Sequence, residues 1–116
     1  MDFRFDCVFY YVSDLDRAIR FYTENLKFRL LSRDEVARFD VDGVLFELVP
    51  DTNTGDRPGN GNARLCLKVE DVRLAVNHMK AKRIHTSEPQ IRPGGVLASF
   101  DDPDGNEICL WEYREH

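Results

Sequence analysis

Cysteine and histidine are both scarce in this chain, three of each in 116 residues. Cys7, Cys66 and Cys109 are an odd number with no CxxC spacing, which argues against a disulfide framework or a zinc knuckle and leaves each as a small buried hydrophobe. The histidines are poorly placed for chemistry. His78 falls in a helical stretch one step before its apolar stripe, His85 lies just beyond it, and His116 is the last residue, so none is positioned to activate a thiol. Basic blocks are missing too, and the formal net charge is −5, which argues against nucleic acid and anionic membranes and leaves small molecules or proteins as partners. No apolar run approaches a membrane span and the first nine residues have no signal-peptide layout, so a cytoplasmic location is expected. The length suits one domain, 1–116, near the size at which a second subunit often covers leftover apolar surface, and a homodimer is expected.

What is present is strongly patterned. Residues 3–12 alternate and are rich in Phe, Tyr and Val, a first strand, after which Ser13-Asp14 offers a helix N-cap. Leu15, Ala18, Ile19 and Tyr22 then fall at i, i+3, i+4 and i+7, the stripe of an amphipathic helix running to about Leu26. Strands follow at 28–33, 35–41 and 44–49, the last two joined by the two-residue turn Asp42-Gly43. Residues 50–62 are almost entirely Asp, Asn, Thr, Gly and Pro, a linker at 51–62 in preference to a ligand flap. The same order then returns, with a strand at 64–69, a helix at 71–82 striped by Val72, Ala75, Val76 and Met79, and a slightly longer stretch around 87–95. The closing segment carries Asp102-Pro103-Asp104-Gly105, a tight turn between two apolar strands.

The repeat holds residue by residue. At a spacing of 57, Val12, Asp14, Leu15, Ala18, Ile19 and Tyr22 meet Val69, Asp71, Val72, Ala75, Val76 and Met79, and at a spacing of 62, Asp42-Gly43 meets Asp104-Gly105. The chain is a duplicated βαβββ unit of the α+β class, module one at about 1–50 and module two at 63–116. The opening Val12-Ser13-Asp14-Leu15, Phe21-Tyr22 and Leu26, with the closing Asp102-Pro103-Asp104-Gly105-Asn106, Leu110 and Glu112, resembles the vicinal oxygen chelate superfamily of glyoxalase I, extradiol dioxygenases, fosfomycin-modifying enzymes and bleomycin-resistance proteins. One departure is Lys27, where that family usually has Gly after the leucine that ends the first helix.

The resemblance implies curved mixed sheets forming a cleft, with metal ligands on the first and last strands of each module. Those positions hold Cys7, Glu47, Arg64 and Cys109 here, and the internal repeat independently pairs Cys7 with Arg64 and Glu47 with Cys109. Their neighbours Val8, Phe46, Leu48, Leu65, Ile108 and Leu110 are apolar and must cover the helices, which turns the four toward the cleft. The same period of two adds Phe9 and Tyr11, Cys66 and Lys68, Ser99 and Asp101, and Trp111 and Tyr113 to that face, an aromatic wall with a few polar groups or else a dimer interface. Arg64 cannot ligate a metal, being a cation with donors only, so Glu47 and Arg64 are expected to pair with each other in its place. The expectation is a metal-free binder of an aromatic or planar ligand, similar to the bleomycin-resistance branch, with no cofactor and no assigned catalytic residue. The alternative is a Zn, Fe, Ni or Mn lyase, transferase or dioxygenase of that superfamily, its ion held by Glu47 with Cys7 and Cys109.

Overall fold

The computed structural model describes residues 1–51 and 63–114, so most of the expected linker lies outside the described residues. The chain divides into two compact units, Met1–Gly59 and Asn60–His116. The first runs β1 (Val8–Val12), α1 (Leu15–Arg20), a π-helical turn (Phe21–Asn25), β2 (Arg29–Arg33), β3 (Ala37–Val41) and β4 (Val44–Pro50). The second repeats it as β5 (Leu65–Lys68), α2 (Val72–Ala81), β6 (Gln90–Arg92), β7 (Gly95–Asp101) and β8 (Glu107–Tyr113). Each unit builds one four-stranded mixed sheet, ordered β1-β4-β3-β2 and β5-β8-β7-β6, with its first strand parallel to its last. The fold is α+β with duplicated βαβββ modules.

Both helices start where the sequence places them. Asp14 accepts a hydrogen bond from the Arg17 amide, and Asp71 accepts from the amides of Arg73 and Leu74, so each carboxylate satisfies amides that the first helical turn leaves free. The first helix departs from the expected course after Arg20, widening into the π-helical turn. There the Thr23 hydroxyl donates to the Ile19 carbonyl at 2.7 Å, a side-chain bond that competes with regular helical pairing. Asp42 and Gly43 take φ of 53° and 85°, the left-handed pair that closes a tight hairpin.

Module one has an aromatic core. Tyr22 is fully buried, and its ring centroid lies 5.2 Å from Phe46, 5.7 Å from Phe28 and 6.1 Å from Phe39. Module two is mainly aliphatic, with Val72 and Val76 of α2 packed against Val96 and Ala98 of β7. At the DPDGN turn the buried Asp102 carboxylate accepts from the amides of Asp104 and Asn106 and from the Asn106 side chain, which makes this turn a closed polar knot.

The first strand is shorter than its alternation suggests. With Val8 opposite Phe46, the parallel register would set residues 3–5 against the β3–β4 turn, where no strand edge remains to receive them. Phe3 and Phe5 are accordingly exposed. Cys7 and Arg64, expected on the first and fifth strands, each stand one residue before theirs.

Candidate functional site

Each sheet buries one face under its helix and leaves the other free of helix. Tyr10, Val12, Phe46 and Leu48 are buried in module one, and Val96, Ala98, Phe100, Ile108 and Leu110 in module two, so the alternate residues define the helix-free faces. In module one the register aligns Phe9, Glu47, Arg38 and Ser32 in a row across four strands. Phe9 and Tyr11 meet edge to face at 5.4 Å, with Phe9 46% exposed beside the Glu47 carboxylate. In module two the row Cys66, Cys109 and Ser99 crosses three strands, flanked by Lys68, Trp111 and Leu97 on one side and by Glu107 and Asp101 on the other. Trp111 and Tyr113 repeat the edge-to-face contact at 5.7 Å.

Trp111 has its place because Gly95 has no side chain. A β-carbon there would come within 2.5 Å of the indole and 2.2 Å of the Glu112 carbonyl oxygen. Sequence reasoning missed this role, since Gly95 looks like ordinary loop punctuation until the β7–β8 pairing puts it opposite Tyr113.

The charges that the sequence paired with each other have partners within their own modules. Glu47 meets Arg38, its direct cross-strand neighbour, at 3.5 Å, and Arg38 also holds Asp34 at 3.1 Å. The Arg64 Nε donates to Glu107 at 2.8 Å, as expected of a residue one step before Leu65 in a register that sets Leu65 against Ile108. Cross-strand register decides such pairs, and reading along one strand at a time does not reveal it.

The thiols also differ from expectation. None of the three cysteines is buried: Cys66 is exposed and Cys7 and Cys109 are half-buried. Their titration nevertheless runs against nucleophilic use. Desolvation, then Glu47 and Asp6, pushes the Cys7 thiol above its ordinary value, and desolvation alone does so for Cys66. Cys109 is raised by desolvation, then by Glu107 and Cys66, with Arg64 pulling the other way. An activated cysteine needs the opposite shift.

The match to known proteins covers nearly the whole chain. Residues 4–110 fit the family described as the Glyoxalase/Bleomycin resistance protein/Dioxygenase superfamily. The chain belongs to that superfamily. Among curated relatives, the lactoylglutathione lyase GLX1 of Arabidopsis thaliana is 32% identical over 88% of this chain, and a probable lactoylglutathione lyase of Vibrio cholerae is 29% identical over 90%. The chain spans 41% of the plant protein and 86% of the bacterial one. Among solved structures, the glyoxalase family protein of Enterococcus faecalis gives a TM-score of 0.82 at 21% identity, covering 94% of this chain and 97% of its own. TnmS3, an antibiotic binding protein of Streptomyces sp. CB03234, gives 0.74 at 26% identity, covering 96% and 98%.

Within this superfamily the carried-over positions make a poor donor set here. Module one offers one thiol, Cys7, and Glu47, whose carboxylate is already engaged by Arg38. Module two offers Cys109 beside a guanidinium fixed by Glu107. Among the described residues no group of three or more His, Cys, Asp or Glu is placed to hold an ion. A divalent metal with nitrogen and oxygen ligands does not fit these side chains.

Proposed function

We propose that this protein is a metal-free small-molecule binding member of its superfamily, taking an aromatic or planar ligand against the helix-free sheet faces. The reading rests above all on Arg64. At the position that the family resemblance assigns to a metal ligand this chain has a cation, held at 2.8 Å by Glu107, which disfavours a divalent ion while remaining able to orient a carboxylate or carbonyl of an organic molecule. Each module offers its own edge-to-face pair as apolar area, Phe9–Tyr11 in module one and Trp111–Tyr113 in module two, and in module two Lys68, Ser99 and Asp101 supply polar contacts on the same face. The antibiotic binding title of TnmS3 supports the same class of role.

The second reading is a metal-dependent lyase, which the names of the Arabidopsis and Vibrio relatives favour. Metal analysis of protein purified without added metal separates the two. The binder reading expects well under one tenth of an equivalent of Zn, Fe, Ni or Mn, together with quenching of Trp111, the only tryptophan, by planar aromatic compounds. A full equivalent of one of these metals, with lactoylglutathione lyase activity that disappears on chelation, overturns it in favour of the lyase.

A further inference from the structure

Cys66 and Cys109 are direct partners in the parallel β5–β8 register. Register partners project to the same side of a sheet, so both thiols stand on the helix-free face of module two, with the Ser99 hydroxyl third in the row. Adjacent strands lie about 4.7–4.9 Å apart. Two thiolate–metal bonds of about 2.3 Å each, laid in line, span about 4.6 Å. A span of that size matches the strand spacing, so an ion that takes two sulfurs in a near-linear arrangement suits two thiols paired in this register. In the structure both thiols are free and no disulfide joins them. Zinc asks for more donors than this row supplies.

We propose that Cys66 and Cys109 form a two-thiolate site for a soft, two-coordinate metal ion of the Cu(I) class. Sulfur-only coordination selects such ions over the harder metals that imidazole and carboxylate ligands suit. On binding, two S–H bonds break, two metal–sulfur bonds form and two protons pass to solvent, with no change of oxidation state. A monovalent ion thereby becomes a complex of single negative charge. Lys68, in the next row beside Trp111, supplies positive charge on the same face, where Arg64 is paired with Glu107. Neither thiol belongs to the buried core, so serine is tolerated at both positions. This site lies within one module and needs no organic ligand, so its failure leaves the binder reading untouched.

The test is anaerobic titration of the intact protein with Cu(I) against a chromophoric chelator. The expected result is one equivalent bound per chain, with affinity at least 100-fold weaker in Cys66→Ser and in Cys109→Ser and unchanged in Cys7→Ser. Retention of affinity within threefold in either single variant of the pair overturns the proposal, as does failure of the unmodified protein to compete with the chelator. X-ray absorption at the copper edge of the unmodified protein provides a check that no variant's folding can confound. Two sulfur neighbours are expected, and one sulfur, three sulfurs or a nitrogen shell overturns the site.

Discussion

Lys27 has a φ of 60°, a left-handed conformation in which a β-carbon crowds the following carbonyl. It follows the first helix at the point where the superfamily resemblance leads one to expect glycine, and Arg83, with φ of 63°, does the same after α2. Both modules thus end their helices on a strained cation. The left-handed penalty for such a residue is about 1–2 kcal/mol, and glycine gives part of that back through the greater freedom of its unfolded chain. Lys27→Gly is therefore expected to stabilise the protein by about 0.5–1 kcal/mol, read as a higher denaturant midpoint at unchanged slope. A lower midpoint shows that the lysine side chain makes a contact worth more than the strain.

Between elements, the connection from β8 to α2 carries the most specific chemistry. The three leading amides of α2 are all satisfied, Arg73 and Leu74 by the N-cap Asp71 and Val72 by Glu112 of β8 at 2.9 Å. Glu112 also accepts from Arg114 at 2.7 Å; that bond first, then the one from Val72, holds its carboxyl below the ordinary carboxylate range. A lowered folded value means stability that is present above the ordinary range and lost as the pH falls through the lowered one. Glu112→Ala is expected to lower the thermal midpoint at neutral pH by roughly 4–8 °C, the effect of losing one helix cap in a domain of this size. The gap between variant and parent should close in acid. A gap that stays constant down to low pH assigns the loss to packing instead of charge.

At the scale of the whole molecule we propose a homodimer. Phe9, Leu31, Ile91 and Tyr113 are exposed on small four-stranded sheets whose helix-free faces carry aromatic pairs, and a second copy is the simplest cover for apolar area of this kind. Light scattering at micromolar concentration is expected to give twice the chain mass. A clean monomer removes the dimer and leaves the exposed aromatics to the ligand alone.

Elements and their duplication were legible in the sequence because both depend on local patterns. Helix stripes, N-caps at Asp14 and Asp71 and left-handed turn residues at Asp42-Gly43 and Gly105 act over a few residues, and repeating them specified the same strand order twice. Alternation also determined which side of β1, β4, β7 and β8 is core, since a side chain's face depends only on its parity along the strand. Tertiary structure alone decided what lies across the strands. Register joined Glu47 to Arg38 and Arg64 to Glu107, set Cys66 beside Cys109, and set Gly95 under Trp111. These contacts join residues far apart in the chain, and their energies depend on spacing between strands that no single stretch of sequence contains.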